Sequence, residues 1–195
     1  GLFMQEACNA NPGGMVCVIG LEDEKVEQLC AEIMPMGVVC AANYNSPGQV
    51  VISGEKPLLE KASVLAKERG ARMVVSLKVD GAFHSDLMMP ASDKLARELE
   101  STPISKPNIP VVANIHARYV REPDEIKASL AKQLNSPVRW HQSISLLIQN
   151  GFNQFCEIGP GKTLSGLMKR IDATQGIKSI DTIESFEKRV KSNEF

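Results

Sequence analysis

Between residues 15 and 79 the chain changes periodicity four times in a fixed order, and that order narrows the fold more than any other feature. The runs 15–19, 38–42, 49–53 and 73–79 carry β-branched and apolar residues at strand density and strand length. The run 22–33 puts Val26, Leu29, Cys30 and Ile33 on one helical face behind an acidic first turn. A second helix over 57–69 opens at Pro57 and stops at Gly70. Residues 43–48, rich in Asn, Pro and Gly, are predicted to be a turn. Strand, helix, strand, strand, helix, strand is the split βαβ, or ferredoxin-like, pattern.

The flanks have another rhythm. Leu2, Phe3, Met4, Ala7 and Cys8 take helical spacing at once, with no capping residue ahead of them, and Asn11-Pro12-Gly13-Gly14 ends that helix. A helix that begins without a start signal is the expectation for one cut in its middle. Gly1 is no native start and neither a signal nor a transit peptide is expected, so the chain reads as the C-terminal portion of a longer protein. Beyond residue 80 the spacing predicts helices over 87–100, 123–134 and 140–150, strands over 111–115 and 154–158, and a helix from Thr163. Such alternation suggests a parallel sheet covered by helices. The expected organisation is therefore α/β. Residues 1–14 are a helix of a large domain, 15–79 a small ferredoxin-like subdomain inserted into it, and 80–195 the C-terminal part of the large domain.

Composition removes several function classes. The net charge of −1 gives no electrostatic case for nucleic acid or an anionic membrane surface. No apolar run approaches the roughly 20 residues of a membrane span. Cys8, Cys17, Cys30, Cys40 and Cys156 are odd in number and lack paired metal-ligand spacing, so they read as reduced thiols of a cytosol-like compartment. His116 and His141 have no partner at metal-ligand spacing either, and no metal is expected.

One short segment concentrates the chemistry. The strand over 73–79 empties into Asp80-Gly81, and helical spacing resumes at Leu87, so His84 stands at a strand-to-helix junction. A scaffold of that kind fixes a side chain while leaving it reachable, and imidazole is the usual proton carrier near neutral pH. Position alone favours a loop histidine bonded to a backbone carbonyl. Gly81-Ala82-Phe83-His84 resembles the segment around the catalytic histidine of acyl-CoA:acyl carrier protein acyltransferases, in the form of the malonyl-CoA:acyl carrier protein transacylase family. Four further segments resemble that family in the same order. They are Phe3-Met4-Gln5-Glu6-Ala7, Asn43-Tyr44-Asn45-Ser46-Pro47-Gly48-Gln49, Gln133-Leu134-Asn135-Ser136-Pro137-Val138-Arg139-Trp140 and Glu157-Ile158-Gly159-Pro160-Gly161-Lys162.

The resemblance implies a malonyl-serine intermediate in fatty acid synthesis, formed from a coenzyme A thioester and discharged onto the phosphopantetheine thiol of acyl carrier protein. It implies no cofactor, and a bacterial cytoplasm or an organelle matrix as the setting. The nucleophile would be a serine on a Gly-x-Ser-x-Gly elbow, a pattern that does not occur in these 195 residues. Ser85 adjoins His84, but neighbouring side chains on an extended backbone point apart. The implied roles are His84 as general base and the Gln133 carbonyl as its orienter. Phe83 becomes a wall against an α-methyl group, Met4 a pocket residue, and Asn43 with Asn45 supports for coenzyme A or phosphopantetheine. Each also has a plain alternative: a packed aromatic, turn asparagines, an exposed helix end. The implied carboxylate-binding arginine would immediately precede Gly1, and the missing N-terminal half would supply it with the serine. Arg72 and Arg139 are expected on solvated faces. This polypeptide alone is expected to be inactive; the alternative is a ferredoxin-like interaction module that has lost catalysis.

Gly159-Pro160-Gly161-Lys162-Thr163 imitates a phosphate loop. The full pattern needs glycine five positions before Gly161, where Cys156 stands, and Pro160 removes an N–H that a phosphate cradle would use.

Overall fold

Apolar alternation builds a four-stranded antiparallel sheet from β1 (Gly14–Ile19), β2 (Val39–Ser46), β3 (Gln49–Gly54) and β4 (Met73–Ser76), in the order β2-β3-β1-β4. Successive strand residues point to opposite faces. Val16, Val18, Val50 and Ile52 accordingly pack against α2 (Asp23–Ile33) and α3 (Lys56–Glu68), through Val26, Leu29, Ile33 and Ala62. Met15, Cys17, Ala42 and Val51 point the other way and meet Leu77, Val79 and Phe83. Full burial of each large aliphatic side chain stabilises by about 1.5–3 kcal/mol, so both faces hold the sheet in register.

The computed structural model describes residues 1–192, and they divide into two compact units, Gly1–Ser143 and the chain from Ile144 onward. Outside the sheet, the first unit contains α1 (Leu2–Ala10), α4 (Met89–Ser101) and α5 (Pro123–Gln133). Helix α1 buries Ala7 and Cys8 against Met88 and Ala91. The division at 143/144 differs from the three segments expected above; α1 and α4 share that apolar cluster, and β2 is tied to Val138 by main-chain bonds. Helix α6 (Trp140–Gln149) runs across the division. The second unit holds β7 (Gln154–Ile158) paired in parallel with β8 (Gly176–Ile180), together with α7 (Thr163–Ile171) and α8 (Ile183–Ser192). Residues 193–195 of the expected last segment lie outside the described residues.

Three expectations are corrected. Residues 43–46 are strand, not turn: β2 runs through Ser46 with register slips between Ala41 and Asn43 and between Tyr44 and Ser46, and only Pro47 and Gly48 make the reversal. Pairing with β3 on one side and with Val138 on the other overrides the turn preference of asparagine. Strand β4 stops at Ser76, after which Leu77 N donates to Met15 O and the chain leaves the sheet. The strand predicted over 111–115 is β5 (Val111–Ala113), paired antiparallel with β6 (Arg118–Val120) in a hairpin and not part of a parallel sheet. A four-residue reversal with Ala117 at φ +51° lets the chain fold straight back on itself. Strands β6 and β8 and helix α8 have no counterpart in the sequence reading.

Candidate active site

Where the chain leaves β4 it must pass close to α1. A Cβ on Gly81 would overlap Cys8 Sγ, so glycine is there for space, and no positive φ is involved. Three residues on, His84 takes φ +61°, a conformation that costs an L-residue roughly 1–3 kcal/mol. Three contacts hold it. His84 N donates to Leu134 O at 3.0 Å, the Cys40 thiol lies 3.7 Å from His84 O as donor, and the ring Nδ1 stands 2.8 Å from Gln133 O.

A carbonyl oxygen can only accept, so Nδ1 carries the proton in the last contact and the neutral ring keeps its lone pair on Nε2. That is the tautomer a general base needs. The carbonyls come from the end of α5, where a helix leaves its last C=O groups without internal partners. Ala131 O accepts from Ser92 Oγ at 2.8 Å, and Gln133 O and Leu134 O both accept from His84. Past the helix end, Val138 N donates to Ala42 O at 2.8 Å and Tyr44 N to Val138 O at 2.9 Å, joining the turn to β2.

The half-buried His84 lines a cavity of about 350 Å³ with Val39, Cys40, Asp86, Asn135 and Pro137. Burial pushes the Cys40 thiol up to about 11, with the Asp86 charge adding to it, and the Cys30 thiol up to about 12. Neither is a nucleophile at neutral pH. Ser85 is buried with its hydroxyl turned to Ala82 O at 2.6 Å, so it offers nothing to His84. A larger hollow of about 590 Å³, by α3, is lined by Lys56, Glu60, Lys78 and Asp80 and by none of the predicted site residues.

The predicted substrate-contacting residues fall into two places. Met4 and Phe83, both half-buried, belong to one apolar cluster with Ala7, Cys8, Met88 and Leu134. Asn43 and Asn45 lie half-buried on β2, flanking the buried Tyr44, and Asn43 bridges to Val138. None of these four lines the cavity beside His84. Sequence reasoning misses the group between them. Tyr44 Oη donates to Glu27 Oε1 at 2.5 Å, and the Arg139 guanidinium sits 5.4 Å from the Tyr44 ring centre. Burial, reinforced by the bond to Glu27, pushes the Tyr44 phenol upward. Arg139 is thus half-buried on an aromatic face and not, as expected, on a solvated one; a tyrosine between two strand asparagines is the only hint the sequence carries.

In the second unit the Glu157 carboxylate accepts from the N–H groups of Leu164 and Ser165 at 2.9 and 2.8 Å and from Ser165 Oγ at 2.6 Å. Those bonds, the hydroxyl's first, hold Glu157 below the usual carboxylate range. An anion already sits where a phosphate would bind at the start of α7, which removes the remaining support for a phosphate loop at Lys162. Among the described residues, no three His, Cys, Asp or Glu side chains gather as metal ligands, and no helix is long and apolar enough to cross a membrane.

Comparison with known proteins places this geometry in context. The model of the acyl transferase domain family matches residues 3–194. The malonyl CoA-acyl carrier protein transacylase of Bacillus subtilis (strain 168) is 43% identical over 188 residues, which are 94% of this chain and 59% of that protein. The Haemophilus influenzae transacylase is 40% identical over 95% of this chain and 60% of its own length. An acyl-carrier-protein S-malonyltransferase structure from Burkholderia pseudomallei 1710b superposes with a TM-score of 0.90 at 40% identity, covering 97% of this chain and 63% of that one. A malonyl-transacylase solved in complex with a type II polyketide acyl-carrier protein gives 0.93 at 38% identity, over 98% of this chain and 62% of that one. The chain thus spans about 60% of the length of the curated relatives it matches.

Proposed function

The chain belongs to the acyl transferase domain family, and from that premise we propose that it is the base-bearing part of a malonyl-CoA:acyl carrier protein transacylase. The observation that carries the reading is the 2.8 Å contact from His84 Nδ1 to Gln133 O, which leaves Nε2 as a proton acceptor beside an open cavity. A serine hydroxyl from the absent upstream polypeptide gives its proton to Nε2 as its oxygen attacks the thioester carbon of malonyl-CoA. Collapse of the tetrahedral adduct breaks the C–S bond, and the imidazolium returns the proton to the departing coenzyme A thiol. The same steps in reverse, with the phosphopantetheine thiol of acyl carrier protein as nucleophile, release the serine. Malonyl transfer of this kind feeds fatty acid synthesis in a bacterial cytoplasm or an organelle matrix, and it uses no metal or redox cofactor.

Met4 and Phe83 form the apolar side of the acyl pocket. Phe83 penalises an α-methyl group by about 1–3 kcal/mol, a partial preference for malonyl over methylmalonyl. Asn43 and Asn45 hold the pantetheine arm by side-chain hydrogen bonds from β2. Residues 1–14 and 80–195 belong to the large α/β domain and 15–79 to the inserted smaller one. The exposure of Ile158 on β7, at 78%, supports a large domain completed by polypeptide outside these 195 residues, because parallel sheets are ordinarily covered on both faces.

The test is malonyl transfer from malonyl-CoA to acyl carrier protein, measured for this chain alone and for the full-length protein that contains it. The chain alone transfers nothing, the full-length protein transfers, and His84→Ala lowers its rate by about 10²–10⁴. Transfer by the chain alone, or an undiminished His84→Ala enzyme, refutes the reading.

A further inference from the structure

We infer that the side chain of Gln133, and not only its carbonyl, positions the base. The inference rests on the role proposed above for His84. The Gln133 amide nitrogen donates both its hydrogens, one to Ser136 O at 2.9 Å and one to Pro137 O at 3.2 Å. Both partners are carbonyls, which only accept, so the nitrogen and not the amide oxygen must face them. The two bonds close a loop over residues 134–137, the segment by which α5 gives way to the strand-like contact of Val138 with β2.

The direction in which Gln133 O points is set by the torsions on either side of the 133–134 peptide. Leu134 is still helical, at φ −64° and ψ −32°, although no helix follows it. Pro137 restricts Ser136 and has no N–H, so the turn cannot be held by the ordinary backbone bond at that residue. The Gln133 amide supplies the missing donors. It keeps the last turn of α5 wound, and so keeps two carbonyls, 133 and 134, aimed at the ring and the backbone N–H of His84. Gln133 is a positioning residue in this account: its side chain touches neither substrate nor the reacting atoms.

Two substitutions test the role in the full-length protein. Gln133→Glu keeps the shape but puts an acceptor against two acceptors; Gln133→Leu leaves both carbonyls unpaired. Each is followed by kcat and KM for malonyl transfer and by ¹⁵N NMR of the His84 imidazole, its signal assigned by its loss in His84→Ala. Both variants are expected to lower kcat on the order of 10²-fold with little change in KM, since a shift of about 1 Å in a catalytic group costs that much. In both, the neutral ring shifts from the Nδ1–H form toward the Nε2–H form. Wild-type kcat in Gln133→Glu overturns the inference, and so does lost activity with the Nδ1–H form intact. If Gln133→Leu does not fold, the isosteric Gln133→Glu decides alone. If the full-length protein transfers no malonyl group, the proposed function fails, and the imidazole spectra still decide whether the side chain orients the ring.

Discussion

Gly81 offers a way to disturb His84 without touching it. An alanine there would place its Cβ over Cys8 Sγ, 3.2 Å from Phe83 Cζ and 3.5 Å from Cys8 Cβ. The backbone itself tolerates alanine, since Gly81 has no positive φ, and the stiffer unfolded chain would return about 0.4–1 kcal/mol. Overpacking costs about 1–3 kcal/mol, so Gly81→Ala is expected to destabilise by a net 1–2 kcal/mol, roughly. Cys8 is 7% exposed on α1 and cannot move aside as a whole. Truncating it to alanine deletes the overlapping sulfur and leaves only the ordinary 3.5 Å contact with Cβ. Cys8→Ala alone costs about 1 kcal/mol for the lost buried atom. The double variant should be about as stable as Cys8→Ala, a favourable coupling on the order of 1–2 kcal/mol, slightly reduced by the remaining pressure on Phe83. Urea midpoints of the four proteins measure it, and the transfer rate of the full-length enzyme should recover in step. Additive destabilisations, or a Gly81→Ala protein as stable as the parent, would show that the His84 turn is not braced against α1.

Tyr44→Phe removes the bond to Glu27, whose carboxylate is exposed and becomes solvated, so the loss is about 1 kcal/mol in a denaturation experiment; an unchanged midpoint would contradict it. Glu157 has its folded pKa held below the ordinary 4.5, so its contribution is complete above that pH and disappears as the pH falls through the depressed value. The melting temperature of the parent should therefore exceed that of Glu157→Gln at neutral pH and converge with it in acid. A gap that stays constant from neutral pH into acid would mean that the charge at the start of α7 does no stabilising.

How far the sequence reaches depends on the range of the interaction that decides each feature. Strands β1 and β3 and helices α2 and α3 are legible because burial imposes a period on consecutive residues, and Val16, Val18, Val26 and Leu29 keep it. Strand β6 has three residues, too few to show any period, and β8 offers Ile177 and Ile180 out of phase with simple alternation. Asn43 and Asn45 mislead for a different reason: their local preference for a turn is genuine, and pairing on both edges of β2 outweighs it. The site divides in the same way. A helix end with unpartnered carbonyls after Gln133, and a histidine at a junction, can each be recognised locally. That the two meet cannot, because 49 residues separate them and the bond exists only once α5 has packed beside α4. Resemblance to a family supplies that long-range pairing, because relatives have carried it through their own folds. It does not supply the bonds of the Gln133 amide or the Tyr44–Glu27–Arg139 contacts, although Gln133, Tyr44 and Arg139 stand in the motif segments themselves. The amide's bonds to Ser136 O and Pro137 O and the Tyr44 bond to Glu27 join residues whose pairing is visible only once the chain is folded.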